Sequence, residues 1–232
     1  RGGVSCAGLT AGDIELISGP PAWEWTGDRL VAGDGRTTIL MDEAAERYPT
    51  SPPPAPHLSA ATSGRIETAR ASTGRRSWFD SELGRTVGRP KLLAAIHSVV
   101  SHQADAGARL RAIVGLGIGL TPSADDALVG ALCLLSAVGA FPAKLRDTLK
   151  AWLRAEGVDF TTDVSLSYLR LAVDGAFSEP VNRAVGALTE GSSQTELGES
   201  VGDLSAVGAT SGMDTAMGIQ LACQCLTHPR TN

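Results

Sequence analysis

One stretch of the sequence combines residue types that bind anions at the start of a helix. Residues 115–126 read GLGIGLTPSADD and lead into an apolar segment. Glycines allow positive φ and a close approach of the backbone to a ligand, and a proline suits the first turn of a helix. The free amides of such a turn, together with the helix dipole, attract phosphate or carboxylate groups. The stretch therefore predicts an anion-binding helix start.

A second stretch, residues 208–218, repeats this design further along the chain. A serine, an aspartate and a glycine recur at the same intervals, and both stretches lead into uncharged apolar segments. The matched pairs are Ser123 and Ser211, Asp126 and Asp214, and Gly130 and Gly218. Two helix starts of one design predict a shared ligand. The alternative for each start is capping alone, in which the hydroxyl caps the helix and the acid complements its dipole.

The residues of these helix starts divide into two chemical groups. Glycine backbone and hydroxyl side chains suit direct contact with an anion. The predicted anion-binding residues, two of them from a third hydroxyl-rich start at 161–165, are Gly117, Gly119, Thr121, Ser123, Thr162, Ser165, Thr210 and Ser211. Carboxylates suit general-base catalysis. They also suit a divalent cation that bridges to phosphate, which is a candidate cofactor, but the sequence does not identify the residues that would bind it. The predicted catalytic residues are Asp125, Asp126 and Asp214.

Composition and the motifs of the sequence exclude several classes of function. The sequence contains no nucleophile elbow, Walker motif or dinucleotide-binding fingerprint. The net charge of −5 and the scattered basic residues argue against nucleic acid as a partner. No run reaches the roughly 18 apolar residues that a membrane span requires. Four cysteines without disulfide spacing favour a reducing compartment. We therefore expect a soluble, cytoplasmic protein.

The first fifty residues carry signals for short strands. Alternating or β-branched apolar segments are separated by turns rich in glycine, proline and aspartate. This pattern predicts a small β meander or barrel-like domain over residues 1–50. Four prolines within residues 51–56, and the serine, threonine, alanine and arginine that follow, predict a linker over residues 51–88.

Periodic apolar residues predict a helical domain over residues 89–232. The candidate helices lie near residues 90–112, 124–140, 143–155, 163–175, 178–190 and 212–227. Two uncharged stretches, 127–138 and 215–227, belong at the centre of a bundle. Gly130 and Gly218 inside them predict close packing against a crossing helix. The expected fold class is therefore α+β, with a β-rich start followed by a mainly helical domain with two buried apolar helices.

The basic residues of the predicted linker are candidates for contact with the ligand. We expect residues 51–76 to be mobile without ligand and to order over the anion site. Arg65, Arg75 or Arg76 would then neutralise the anion through bidentate hydrogen bonds. The alternative is a solvated linker with surface arginines.

The run at residues 115–126 resembles the AllH family, which includes the third subunit of bacterial oxamate carbamoyltransferase. That family carries G-x-G-P-G-L-T-P-S-G-D-D before an apolar helix. This chain differs at Ile118, where the family prefers proline, and at Ala124, where it prefers glycine. The resemblance extends through residues 161–165 to residues 208–214 and covers most of the chain.

The resemblance implies an enzyme or enzyme subunit that handles a carbamoyl group in purine or allantoin catabolism. Its ligands would be phosphate or carbamoyl phosphate and a small carbamoyl or carboxylate substrate. Helix-start amides suit such a reaction, because they can stabilise both phosphate oxygens and a carbonyl oxygen that becomes an oxyanion. The resemblance also implies partner subunits. The alternatives are a non-catalytic anion-binding subunit, a structural subunit, or a diverged biosynthetic enzyme of the same fold.

Overall fold

The structure is a computed structural model of the 232-residue chain. It describes residues 2–4, 23–26, 29–32, 38–40, 47–189 and 191–228. The chain divides into two compact units, Arg1–Pro49 and Thr50–Asn232.

The described part of the first unit consists of short antiparallel strands. Their bounds are β1 Gly2–Val4, β2 Trp23–Thr26, β3 Arg29–Ala32, β4 Thr38–Leu40 and β5 Arg47–Pro49. Strand β1 pairs with β5, and β3 lies between β2 and β4. In this second ladder Leu30 lies opposite both Trp25 and Ile39.

The fold is helical, and the predicted α+β class is wrong. Among the described residues from Thr50 to His228 there is no strand, and helices packed on helices form the core. The described strands of the first unit are three or four residues long and form two separate ladders. They are shorter than the usual five to six residues and form no barrel or extended sheet in the described part. The sequence of residues 1–50 is rich in glycine and proline, which weaken strands, although the spacing of the same residues suggested a β domain.

Nine α-helices make up the described part of the second unit. They are α1 Thr62–Ser72, α2 Arg89–Val100, α3 Ala106–Arg111, α4 Ser123–Ala137, α5 Ala143–Ala155, α6 Asp163–Val173, α7 Glu179–Gly186, α8 Gln194–Ser205 and α9 Ser211–Thr227. Short 3₁₀ turns lie at Trp78–Asp80 and Gly157–Asp159, and a π turn at Gly84–Gly88 leads into α2. No helix of the described residues has both the length and the hydropathy needed to cross a bilayer.

The two helices that contain the uncharged stretches, α4 and α9, pack against each other at the centre of this unit. A Cβ atom at Gly130 would lie 2.2 Å from the carbonyl oxygen of Thr215. One at Gly218 would lie 1.8 Å from the carbonyl oxygen of Ala127. Only glycine permits so close an approach between backbones. The close packing that the sequence predicts at both glycines is therefore confirmed.

The predicted helices are present, but one of them is split, and the structure contains two further helices, α1 and α8. The segment expected as one helix over 90–112 is two, because a turn at His102, where φ is 51°, separates α2 from α3. Helix α8 was not predicted. It begins at a capping box in which Ser193 accepts from the amide of Glu196, and Glu196 accepts from the amide of Ser193.

The segment predicted as a linker over 51–88 folds into the helical unit. Helix α1 buries Ile66 and Ala69, and the turn that follows buries Trp78 and Phe79. Helix α1 packs against α8 and α9. The prolines end before α1 begins, and the two apolar residues of α1 lie three apart, on one face of the helix. A polar composition therefore concealed a helix with a narrow buried face.

Candidate functional site

The glycine-rich loop before α4 needs its glycines. Gly115, Gly117 and Gly119 have φ of 79°, 121° and 95°, a region that side chains disfavour. A Cβ atom at Gly115 would lie 1.9 Å from the carbonyl oxygen of Phe160, and one at Gly117 would lie 2.7 Å from the amide nitrogen of Ser123. The loop therefore folds back tightly over the start of α4.

The starts of α4 and α9 meet at a hydrogen bond. The hydroxyl oxygens of Thr121 and Ser211 lie 2.9 Å apart, and Thr121 donates to Asp126 Oδ2 at 2.9 Å. Either hydroxyl can be the donor between the two, because both lie close enough to Asp126 to favour its ionised form. All three side chains are half-buried. The two helix starts therefore meet in space, as a shared site requires, and the shared ligand itself stays a prediction.

The two helix starts exchange contacts as a pseudo-two-fold pair. Ser211 of α9 lies beside Asp126 of α4, and Ser123 of α4 lies beside Asp214 of α9, so each serine favours the ionised form of the other helix's aspartate. The backbone contacts of Gly130 and Gly218 are exchanged in the same way. The sequence repeat is thus also a repeat in space.

Asp126 is the accessible aspartate of the site. Its pKa is raised to about 7, mainly by burial and to a smaller extent by the nearby carboxylates of Asp214 and Asp125, whereas hydrogen bonds from Thr121 and Ser211 oppose the shift. A carboxyl group with this pKa exchanges protons near neutral pH, as a general base or acid requires.

Asp214 is fully buried, with 0% of its surface exposed. Its Oδ1 accepts from the hydroxyl of Ser77 at 2.5 Å and from the amide of Trp78 at 2.8 Å. Within the described part of the chain, Asp214 Oδ2 and the hydroxyl of Ser123 have no partner in hydrogen-bond geometry, although the two side chains are close enough for Ser123 to lower the pKa of Asp214. Burial has the larger effect and raises that pKa.

Asp125 has structural partners. It is 1% exposed and accepts from the amide of Gly115 at 2.8 Å, the hydroxyl of Thr161 at 2.5 Å and the hydroxyl of Ser165 at 2.6 Å. Burial has the larger effect and raises the pKa of Asp125, whereas these three hydrogen bonds lower it. Asp125 thereby ties the glycine-rich loop to the start of α6, which is a positioning role.

Thr162 also connects the loop to α6. Its hydroxyl accepts from the amide of Ser165 at 3.1 Å, as a helix cap, and donates to the carbonyl oxygen of Leu120 at 2.6 Å. The structure therefore places Thr162 and Ser165 in the support of the loop rather than beside the Thr121 and Ser211 pair.

Some of the helix-start amides already have partners. The amide of Ala124 donates to Leu116 O at 2.9 Å, and that of Gly212 donates to Val207 O at 3.0 Å. Each start therefore offers fewer amides to a ligand than the sequence pattern suggested. The half-buried hydroxyls of Thr121, Thr210 and Ser211 are consequently the main accessible donors.

Two site neighbours come from the segment that was predicted as a linker. Ser77 and Trp78 donate hydrogen bonds to Asp214. The only feature of this turn that the sequence indicates is the capping box between Ser77 and Asp80. Of the linker arginines, Arg75 reaches the loop before α9 and donates to Ser205 O at 2.8 Å. Arg65 instead donates to the loop between α7 and α8.

No group of three or more His, Cys, Asp or Glu side chains among the described residues is arranged to hold a metal ion. The aspartates of the site engage hydroxyl and amide donors. Carboxyl groups beside hydroxyl donors suit proton transfer and anion contact.

A model of a known protein family matches the part of the chain that contains this site. The family model described as oxamate carbamoyltransferase subunit AllH matches residues 113–223. The match includes the glycine-rich loop and the starts of α4, α6 and α9, and confirms the resemblance predicted from residues 115–126. No solved structure matches the chain.

Proposed function

We propose that this chain, which belongs to the AllH family through residues 113–223, is a carbamoyltransferase-like enzyme subunit. Its substrate is a small carbamoyl or carboxylate compound, with phosphate or carbamoyl phosphate bound at the joined starts of α4 and α9. The observation that carries the proposal is the hydrogen bond between Thr121 and Ser211 beside Asp126, whose pKa is about 7.

The chemistry of carbamoyl transfer assigns distinct roles to these groups. A nucleophile attacks the carbamoyl carbon of carbamoyl phosphate and loses a proton, while the carbonyl oxygen gains negative charge. The carbonyl group then re-forms as the bond between the carbamoyl carbon and the phosphate oxygen breaks, and phosphate leaves. Asp126 in its ionised form takes that proton, because its pKa lies near neutral pH. The hydroxyls of Ser211, Thr121 and Thr210 contact the anionic oxygens, and Gly117 and Gly119 shape the loop around them.

Ser123 and the two buried aspartates support this site. Asp125 fixes the loop against α6, and Asp214 fixes the turn at Ser77 against α9. Ser123 is fully buried beside Asp214, so it orients that carboxyl group rather than contacting a ligand directly. These three residues are therefore positioning residues in the proposal.

We also propose that the chain works together with partner subunits, because the family is described as one subunit of oxamate carbamoyltransferase. A run of exposed apolar side chains supports this proposal. They lie on the glycine-rich loop and on the segment through α6, at Ile118, Leu120, Val158, Phe160, Val164, Tyr168 and Leu171. The two segments touch, since Thr162 donates to Leu120 O. Carbamoyl transfer measured with the chain alone and with the products of neighbouring genes tests this requirement.

A non-catalytic anion-binding subunit is the second candidate. The observation that favours it is that two of the three predicted catalytic aspartates are buried behind internal hydrogen bonds. In that case the chain binds phosphate or a small carboxylate but adds no rate to the assembled complex. Asp126→Asn separates the candidates, because it lowers the rate of the assembled complex only if Asp126 is the proton acceptor.

The anion site itself is tested by titration calorimetry with inorganic phosphate and with oxamate. Thr121→Val removes the hydroxyl that joins the two starts, and we expect at least about tenfold weaker binding, the effect of losing a hydrogen bond to a charged group. Thr148→Val is the matched control, because its exposed hydroxyl bonds only within α5. Equal affinities of the two variants would overturn the proposal.

A further inference from the structure

A separate cavity lies toward the other end of α9. It has a volume of about 660 Å³ and is lined by the π turn before α2, by α2 and α3, and by the C-terminal half of α9. About 15 Å of helix separates Ser211, at the first site, from Leu221, in the cavity wall, at a rise of about 1.5 Å per residue. The cavity therefore belongs to a different part of the helical unit.

The wall of this cavity is cationic. Among its described lining residues are three arginines and two histidines, Arg85, Arg89, Arg109, His97 and His228, and none is an aspartate or glutamate. The chain as a whole carries a net charge of −5, so this concentration of positive charge stands out from the average surface. Buried or concave charge of one sign concentrates ligands of the opposite sign.

The three arginines differ in how they are engaged. Arg109 pairs with Asp105 at 2.7 Å, and Arg89 pairs with Asp80. In the described part of the chain Arg85 has no ion-pair or hydrogen-bond partner for its guanidinium group, which leaves all of its donors for a ligand. Arg85 lies on the π turn that leads into α2.

Apolar side chains form the remaining wall of the cavity. Leu93 projects from α2 and Leu221 from α9, and Pro90 and Ala94 extend this surface. Volumes of about 300 to 1,000 Å³ with a few convergent polar groups are typical of small-molecule sites. The combination suits a ligand that has both an anionic group and an apolar body.

We propose that this cavity binds a small organic anion, a carboxylate or phosphate ester with a ring-sized apolar body, at a site separate from the joined helix starts. Arg85 contacts the anionic group, and Leu93 and Leu221 contact the apolar body. The proposal does not depend on carbamoyl transfer.

Arg89 is unsuitable for the test because it has a structural role. It donates to the carbonyl oxygen of Phe79 at 3.1 Å, and its partner Asp80 accepts from the amide of Ser77, which in turn holds Asp214. Replacement of Arg89 would disturb the first site as well. Arg85→Gln removes charge without breaking a contact, and Arg146→Gln on the exposed face of α5 is its matched control.

The test is calorimetry of the full chain with phenyl phosphate and with phenylacetate. We expect saturable binding of at least one, weakened at least about fivefold by Arg85→Gln and unchanged by Arg146→Gln. Ala94→Trp fills the cavity without changing its charge and should abolish binding. Inorganic phosphate and phenol, which each lack one half of the ligand, should bind more weakly at the cavity.

Three outcomes would overturn the proposal. The first is the absence of saturable binding, and the second is equal binding by the Arg85 and Arg146 variants. The third is loss of binding in Thr121→Val, because that result would place the ligand at the helix starts instead. Retained binding in Thr121→Val, together with its loss in Ala94→Trp, would support the cavity even if the proposed carbamoyl chemistry fails.

Discussion

Burial distinguishes three aspartates that the sequence presents as equivalent. Asp126 is half-buried and contacts the hydroxyl that joins the two helix starts, whereas Asp125 and Asp214 are enclosed and accept bonds from neighbouring turns. The sequence shows that acids enter both helices, but it cannot show which face of a helix meets the core. That difference decides which carboxyl group is available for proton transfer.

The raised pKa of Asp126 predicts a pH-dependent contribution to stability. The pKa is about 7 in the folded chain, against about 3.9 for an unfolded aspartate. The folded state therefore holds the proton more tightly, and the stabilising contribution is complete below about pH 4 and lost as pH rises through about 7. We expect the free energy of unfolding of Asp126→Asn, relative to the unsubstituted chain, to increase between pH 4 and pH 8.

Urea denaturation of both chains across this pH range measures the difference. Asp147→Asn, an exposed change on α5, is the control and should give a difference that does not vary in this way. A difference between the Asp126 variant and the unsubstituted chain that stays constant from pH 4 to pH 8 would contradict the raised pKa.

The unpartnered atoms beside Asp214 predict an unusual gain in stability. In Asp214→Asn the amide oxygen can still accept from Ser77 and Trp78, and the amide nitrogen can donate to the unpartnered hydroxyl of Ser123. The substitution also removes a buried charge. We expect about 1 kcal/mol higher free energy of unfolding at pH 8, the typical value of one added hydrogen bond.

Asp214→Ala serves as the contrast in the same denaturation experiment. It leaves the donors of Ser77 and Trp78 without an acceptor, and we expect a loss of about 2 kcal/mol or more. If Asp214→Asn is destabilised as much as Asp214→Ala, the carboxylate itself is required at this position.

At the scale of helices, the sequence predicts where helices lie along the chain better than it predicts which helices pack against one another. The uncharged stretches and Gly130 and Gly218 correctly indicated two central helices in close contact. Helix α1 was missed because a narrow face of Ile66 and Ala69 lies in a polar segment next to a proline run. Its burial depends on α8 and α9, which are distant in sequence, so local composition could not reveal it.

The helix crossing predicts opposite effects for two glycine-to-alanine substitutions. Gly218→Ala places a methyl group against the backbone of Ala127, where neither helix can yield, and we expect a loss of at least about 2 kcal/mol or failure to fold. Gly198→Ala in α8 meets no atom within 4 Å and should gain about 0.5 to 1 kcal/mol from helix propensity. Thermal and urea denaturation compare the two, and similar effects of both would contradict the crossing.

At the scale of the whole helical unit, the site depends on residues from four separate parts of the sequence. The repeat of Ser123 and Asp126 at Ser211 and Asp214 predicted that two starts converge, and Thr121 and Ser211 meet as expected. The sequence could not show that Ala124 and Gly212 already use their amides within their own loops. It also could not show that the turn at Ser77 supports Asp214, since that contact joins residues far apart in the chain.

The pseudo-two-fold arrangement predicts that the starts of α4 and α9 bind one anion together. Thr121 donates to Asp126 and shares a hydrogen bond with Ser211, so the two hydroxyls orient each other. Loss of either one disorders the same anion contact. We therefore expect Thr121→Val and Ser211→Ala each to weaken phosphate binding about tenfold, and the double variant to bind scarcely more weakly than either single one. The corresponding coupling free energy is about 1 kcal/mol or more, within the range for residues in direct contact.

Calorimetry with inorganic phosphate on the four chains completes this double-mutant cycle, and the same titrations give the stoichiometry. The measurement is made with Ala94→Trp in every chain, so that the cationic cavity is closed and only the helix starts contribute. A single shared site requires one phosphate per chain and strong coupling, because both hydroxyls serve one ligand. Two phosphates per chain, or losses that simply add to about a hundredfold, would mean that each helix start binds its own anion and that their hydrogen bond is only a packing contact.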